Sequence, residues 1–111
     1  KGMSYYESKD VRKFGKISDW QKTLGDKFFS WYGEVFKSSA LSAKEKSIIA
    51  LAVSHAVQCP YCIDAYTEDA LKKGYTEEQM MEAVHVAGAI RGGATMVHGV
   101  QMMNKAQKLS M

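Results

Sequence analysis

Apolar positions recur at steps of three or four along most of this chain, and nowhere does a two-residue alternation persist, so the pattern predicts helices and no strands. The clearest run begins at Ser18, with Ile17 just ahead of it. Trp20, Leu24, Phe28, Trp31 and Val35 share one face, and Phe29, Tyr32 and Phe36 widen that stripe to about half the circumference at roughly 100° per residue. So wide an aromatic face exceeds what the core of a small monomer needs, and part of it is expected to meet another subunit. A second helix is predicted to open at Ser42-Ala43-Lys44-Glu45, where the serine can cap and the glutamate can return the bond. It continues through Ile48, Ile49, Leu51, Ala52 and Val53 toward Val57, apolar nearly all round in the manner of a central buried helix.

Pro60 interrupts that pattern. Inside a helix proline forfeits a backbone bond and clashes with the preceding turn at a cost of about 3 kcal/mol, whereas at the first helical position it is nearly free. A third helix is therefore expected from Pro60 to Lys73, with Cys59 at or just before its start and Gly74 just beyond its end. Thr76-Glu77-Glu78-Gln79 forms another capping box, opening a long stretch through Met80, Val84, Ala87 and Ile90. Gly92-Gly93 is expected to break or tightly pack that stretch before it resumes through Met96, Val97, Val100 and Met103, and the tail after Asn104 is expected to fray. The expected fold class is all-α, one helical domain over residues 1–111 with no repeat or internal boundary.

Composition narrows the function classes. With 111 residues, 46% hydrophobic and 24% charged, the chain has the profile of a small globular domain rather than of a disordered or fibrous segment. Its formal charge of +3 comes from scattered lysines, among them Lys9, Lys13, Lys22, Lys37, Lys44, Lys72 and Lys105, which form no basic stripe and argue against a nucleic-acid partner. No apolar run approaches the roughly 20 residues needed to cross a bilayer, and Lys1-Gly2-Met3-Ser4-Tyr5-Tyr6 lacks the apolar stretch of a signal peptide. A cytoplasmic protein without a membrane partner is the expectation.

The candidate chemistry lies in Cys59-Pro60-Tyr61-Cys62, which holds both cysteines of the chain. In a reducing compartment such a pair points to redox or metal chemistry, and the short loop it closes contributes little as a staple. A cysteine at a helix N-terminus has its thiolate stabilised by unsatisfied backbone N–H groups and the dipole, which draws its pKa below the free value of about 8.5. At nominal helical spacing His55, Cys59, Cys62 and Tyr66 fall within an arc of roughly 60°. In that arrangement His55 takes the proton from a thiol, and Tyr66 or Tyr61 donates to an oxygen being cleaved. These are the parts of a thiol peroxidase: one cysteine becomes a sulfenic acid, its neighbour condenses to a disulfide, and an external dithiol restores the pair with no bound cofactor. Dipole reasoning favours Cys59 as attacker, solvent access can favour Cys62, and the order stays open.

Blander readings compete at each position. Two buried cysteines can serve as small hydrophobes, His55 can be a satisfied core histidine, and Tyr61 and Tyr66 can be packing residues with bonded hydroxyls. His85 and His98 fall on different faces of any continuous helix, and the methionines read as core filler or subunit contacts. A metal or metalloid site is a further alternative: His55, Cys59 and Cys62 offer three soft ligands, although a closed zinc site requires a fourth. The His-x-Glu of the zinc deaminases is absent.

Ser47 to Gly74, with its apolar helix, Cys-x-x-Cys and the following Asp64-Ala65-Tyr66-Thr67, resembles the core of the alkylhydroperoxidase D (AhpD)-like branch of the carboxymuconolactone decarboxylase superfamily. The chain from Tyr5-Tyr6 to Leu109-Ser110-Met111 further resembles a subgroup labelled arsenosugar biosynthesis-associated peroxidase-like proteins. The resemblance implies an all-helical AhpD-like subunit assembled into homo-oligomeric trimers or hexamers. It also implies a Cys59-x-x-Cys62 hydroperoxidase site, reduced in better-known members by a dihydrolipoyl protein. Under the subgroup label the two thiols can alternatively bind trivalent arsenic, and a decarboxylase of the same fold would not depend on them. AhpD-type sites carry a glutamate twelve positions before the first cysteine, a histidine directly before the second and another four after it. This chain has Ser47, Tyr61 and Tyr66 at those places, so the cysteines carry over and the proton relay does not.

Overall fold

The computed structural model describes residues 7–110; the leading segment with Tyr5 and Tyr6, and Met111, lie outside the described residues. A 3₁₀ helix, Ser8–Asp19, leads into α1 (Lys22–Val35), α2 (Ala43–Ala56), α3 (Pro60–Lys72) and α4 (Glu77–Ser110), and no strand occurs among the described residues. The architecture is all-α, as the periodicity predicts.

Local chemistry fixes the helix ends. The Glu45 backbone N–H donates to Ser42 Oγ at 3.0 Å and the Ser42 N–H donates to Glu45 Oε1 at 2.8 Å, the reciprocal capping box. Thr76 and Gln79 repeat it at 3.1 and 2.9 Å. Pro60 takes the first position of α3, where its missing N–H costs nothing. The other end of α3 closes with Gly74 at φ 94°, its N–H donating to the Leu71 carbonyl and that of Tyr75 to the Ala70 carbonyl, a Schellman motif.

The core sits where α2, α3 and the first half of α4 meet. Leu51, Ala70 and Met80 are buried there, with Ile48, Tyr66 and Tyr75 packed against them. The Tyr75 hydroxyl donates to the Lys44 carbonyl at 3.0 Å, and the Arg91 guanidinium donates to the Ala56 carbonyl at the C-terminus of α2, where a cation suits the dipole.

Four expectations need correction. The helical run expected from Ser18 is divided, Ser18 and Asp19 closing the 3₁₀ helix and α1 opening only at Lys22. α2 is not enclosed: Ile49, Val53 and Val57 are exposed, because α3 and α4 cover the side carrying Ser47, Leu51 and Ser54, while α1 stands over the other side without packing onto it. α4 passes through Gly92-Gly93 without a break and stays helical past Asn104 to Ser110. Each glycine costs a helix only about 1 kcal/mol relative to alanine and keeps its backbone donor, so the ladder is not interrupted.

α1 stands off from the rest. Among the described residues none of its Cα atoms comes within 8 Å of those of α2 or α3, although the 3₁₀ helix contacts both α1 and α3. Aromatic side chains span the gap, with Phe14 against Phe29 at 4.9 Å and Tyr61 at 5.5 Å, and Phe36 stacked on Tyr66 at 5.3 Å. A standing-off helix bridged by long side chains leaves cavities between the bridges.

Candidate functional site: a dithiol between two cavities

The thiol site begins with a backbone break. α2 ends at Ala56, Gln58 adopts φ 58°, and Cys59 caps α3 in an extended conformation. His55 therefore belongs to one helix and Cys62 and Tyr66 to the next, so the expected four-residue line along a single helix does not form. The extended cap swings the Cys59 side chain back over the first turn, where Cys59 Sγ accepts the Cys62 backbone N–H at 3.2 Å. Both cysteines are free and half-buried, and their sulfurs are in contact with each other.

The two sulfurs differ in surroundings. Burial first, then the bond to Cys59 and its charge, push the Cys62 thiol up from 9.0 to about 11. Cys59 is the sulfur that receives the amide donor at the helix terminus. With a charge already on Cys59, ionisation of Cys62 is opposed.

Two cavities flank the pair. The larger, about 800 Å³, is walled by Phe14, Ile17, Phe28, Tyr61, Cys59 and Ala65, with Asp10 and Lys13 also in its lining. Lys13 Nζ pairs with Asp10 at 3.2 Å. The other, about 610 Å³, lies between α1 and the open face of α2, against Val35, Phe36, Leu41, Ile49, Val53 and Val57. Its polar members are engaged: Lys46 Nζ donates to the Val35 and Lys37 carbonyls, and Ser54 Oγ donates to the Ala50 carbonyl at 2.6 Å. Three residues, Tyr32, Cys62 and Tyr66, line both cavities and form the partition between them. The Tyr32 and Tyr66 hydroxyls are hydrogen-bonded to each other. Burial, followed by the bond to Tyr32 and the charges of Tyr32 and Cys62, pushes the Tyr66 hydroxyl well above its ordinary value, so it stays a proton donor. Burial and the neighbouring thiol charge push the Tyr61 hydroxyl up as well.

The other candidate positions are occupied differently. His55 Nδ1 contacts the Leu51 carbonyl at 2.8 Å; a carbonyl only accepts, so Nδ1 carries a proton, and in the neutral ring the lone pair falls on Nε2. His55 lines neither cavity. Ser47 is fully buried and donates to Asp69 Oδ2 at 2.7 Å, while Lys73 donates to Asp69 Oδ1 at 2.7 Å. Burial raises the Asp69 carboxyl, and these hydrogen bonds outweigh it and hold the group below its ordinary value. Ser47 thus ties α2 to α3 instead of facing the thiols. His85 and His98 are exposed on α4. Among the described residues no group of three or more His, Cys, Asp or Glu side chains gathers to hold a metal.

Tyr32, Phe36 and Phe14 are the site residues that spacing along the chain does not reveal. The available signal is a tyrosine among phenylalanines on the α1 stripe, and nothing in the sequence links position 32 to position 66.

A family model for carboxymuconolactone decarboxylase proteins matches residues 23–105, a span containing both thiols and both partition tyrosines. The chain belongs to the carboxymuconolactone decarboxylase family. Over 84 residues it is 39% identical to "Uncharacterized protein 4 in cox locus" of Paracoccus denitrificans, covering 76% of each chain. A crystal structure of a Methanobacterium thermoautotrophicum protein, a structural-genomics target, is similar with a TM-score of 0.75 and 30% identity, over 78% of this chain and 97% of that one. Within this family fold the dithiol lies at the α2–α3 junction, on the wall between two cavities.

Proposed function

We propose that this family member is a thiol-dependent hydroperoxidase whose redox pair is Cys59 and Cys62. The observation that carries the reading is a pair of cysteine sulfurs in contact at a helix N-terminus, in the wall of a cavity that also presents a tyrosine hydroxyl pair. The Cys59 thiolate attacks the terminal oxygen of an organic hydroperoxide in the larger cavity. An S–O bond forms, the O–O bond breaks, and the leaving alkoxide takes a proton from Tyr66 to depart as the alcohol. The Cys62 thiol then attacks Cys59 Sγ, displacing water and closing the disulfide, so that one hydroperoxide and two thiols give one alcohol, one water and one disulfide. His55, with Nε2 unprotonated, is the proposed base for the first thiol proton.

The reading further takes an external dithiol, such as a dihydrolipoyl protein, as reductant, a homo-oligomer as the working form, and a cytoplasmic location. Among the described residues no helix is long and apolar enough to cross a membrane. The carbon-rich walls suit an organic hydroperoxide better than hydrogen peroxide, since an apolar body is drawn out of water there.

The test is a thiol count with mass spectrometry on reduced protein before and after one equivalent of cumene hydroperoxide. The expected result is loss of two thiols, an internal Cys59–Cys62 disulfide, and a sulfenic acid trapped on Cys59 in Cys62→Ser. Persistence of both thiols removes the hydroperoxidase reading. A sulfenic acid found instead on Cys62 in Cys59→Ser reverses the order of attack.

A further inference from the structure

We propose that Tyr32 is a positioning residue of this site: from α1 its hydroxyl holds the Tyr66 hydroxyl in the orientation that protonates the oxygen leaving the hydroperoxide. The inference rests on the hydroperoxidase reading and adds to it a residue from a different helix.

Three observations lead there. Tyr32, Cys62 and Tyr66 are the residues common to both cavities, so the tyrosine pair shares one partition with the thiol it would serve. Both rings are held by aromatic neighbours: Tyr32 lies 5.1 Å from Phe36 and 5.6 Å from Phe28, and Tyr66 stacks on Phe36 at 5.3 Å. A tyrosine has two side-chain torsions, so rings held in this way fix where the oxygens stand. In the larger cavity, where the hydroperoxide is placed, Lys13 and Asp10 are paired with each other at 3.2 Å, and the hydroxyl pair stands in the same wall as both thiols.

Hydroxyl bookkeeping supplies the direction. Each phenol has one proton to donate and lone pairs to accept with. When the Tyr32 O–H donates to Tyr66 Oη, the Tyr66 O–H is released toward the cavity, and donation along a chain strengthens the next link. As the alkoxide takes the Tyr66 proton, the new phenolate is buried, and the Tyr32 O–H stabilises it and can follow by transfer. The proton lost by Cys59 on ionising is regained at the tyrosine pair from solvent, which closes the balance without any further reactant.

The experiment compares the wild type, Tyr32→Phe, Tyr66→Phe and the double variant, each fully reduced, with two oxidants. Cumene hydroperoxide expels an alkoxide that needs a proton, whereas peracetic acid expels acetate, which does not. A positioned general acid contributes on the order of 10²–10⁴-fold, so Tyr32→Phe is expected to slow cumene hydroperoxide reduction by about tenfold or more. Its rates with peracetic acid and of alkylation by iodoacetamide should equal those of the wild type, and the double variant should be no slower than Tyr66→Phe. Tyr32→Phe keeps the ring and its contacts, and the unchanged alkylation rate reports that the thiol site is intact. Equal loss with both oxidants would reduce Tyr32 to a packing role, and no loss with cumene hydroperoxide would remove it altogether, the hydroperoxidase reading surviving in either case. A wild type inert toward cumene hydroperoxide instead brings down that reading and this inference with it.

Discussion

At Cys62, three residues after Cys59, burial outweighs the backbone hydrogen bond that favours its thiolate. With the Cys62 thiol pushed up to about 11, its thiolate is scarce near neutral pH and grows as pH rises toward that value. Iodoacetamide reacts with thiolates, so peptide mapping at neutral pH should find Cys59 modified first and Cys62 only under alkaline conditions. Preferential labelling of Cys62 near pH 7 would contradict this electrostatic assignment. In the same assay His55→Gln should slow Cys59 alkylation near neutral pH, and an unchanged rate would remove His55 from the mechanism. At this scale the sequence shows the thiols plainly, because the Cys-Pro-x-Cys run places a thiol on a helix cap by local rules alone. Tyr32 is invisible in it, because its partner lies 34 positions away and only tertiary packing joins them.

Helix boundaries are the most legible elements, since Ser42, Pro60, Gly74 and Thr76 each act within one turn of themselves. The docking of the 3₁₀ helix on α1 is less legible, and it depends on a glycine with no motif around it. A Cβ built at Gly25 would stand 2.1 Å from Ser18 Oγ and 2.7 Å from Ser18 Cα, so backbone would have to move. That matters to the site because the same 3₁₀ helix carries Lys13, Phe14 and Ile17 to the larger cavity. Gly25→Ala is therefore expected to cost about 1–3 kcal/mol by overpacking and to weaken hydroperoxide reduction as the cavity wall shifts. At Gly33, on the same helix, an added methyl would meet nothing within 4 Å, so Gly33→Ala should instead gain up to about 1 kcal/mol from helix propensity. Thermal melts and peroxide assays on the two variants check both signs, and equal stability of the pair would mean that the 3₁₀ helix is not held by this contact.

The described chain extends over 60 × 39 × 37 Å, and its radius of gyration of 18.9 Å exceeds the roughly 13 Å of a compact chain of this length. Much of the excess is α4, whose residues from Gly88 onward are all exposed except Gly99. Periodicity cannot distinguish an apolar stripe meant for the chain's own core from one meant for a second copy. That is why the aromatic run through α1 divides in the structure: Phe29, Tyr32 and the C-cap Phe36 turn inward to the site, while Leu24, Trp31 and, ahead of α1, Trp20 remain exposed. On α4, Met96, Val100 and Met103 follow at helical steps and stay exposed, as do Ile49, Val53 and Val57 on α2. An apolar helix half without tertiary support is marginal in water, so these surfaces require cover, and we expect it from further copies of the chain. Light scattering on a sizing column should give a mass of three or six chains at micromolar concentration. Replacing Val100 and Met103 together with lysine should shift the mass toward one chain and lower the melting temperature, because each copy then loses the surface that supports its own projecting helix. A monomeric wild type with α4 fully helical by hydrogen exchange would show that the stripe needs no second copy.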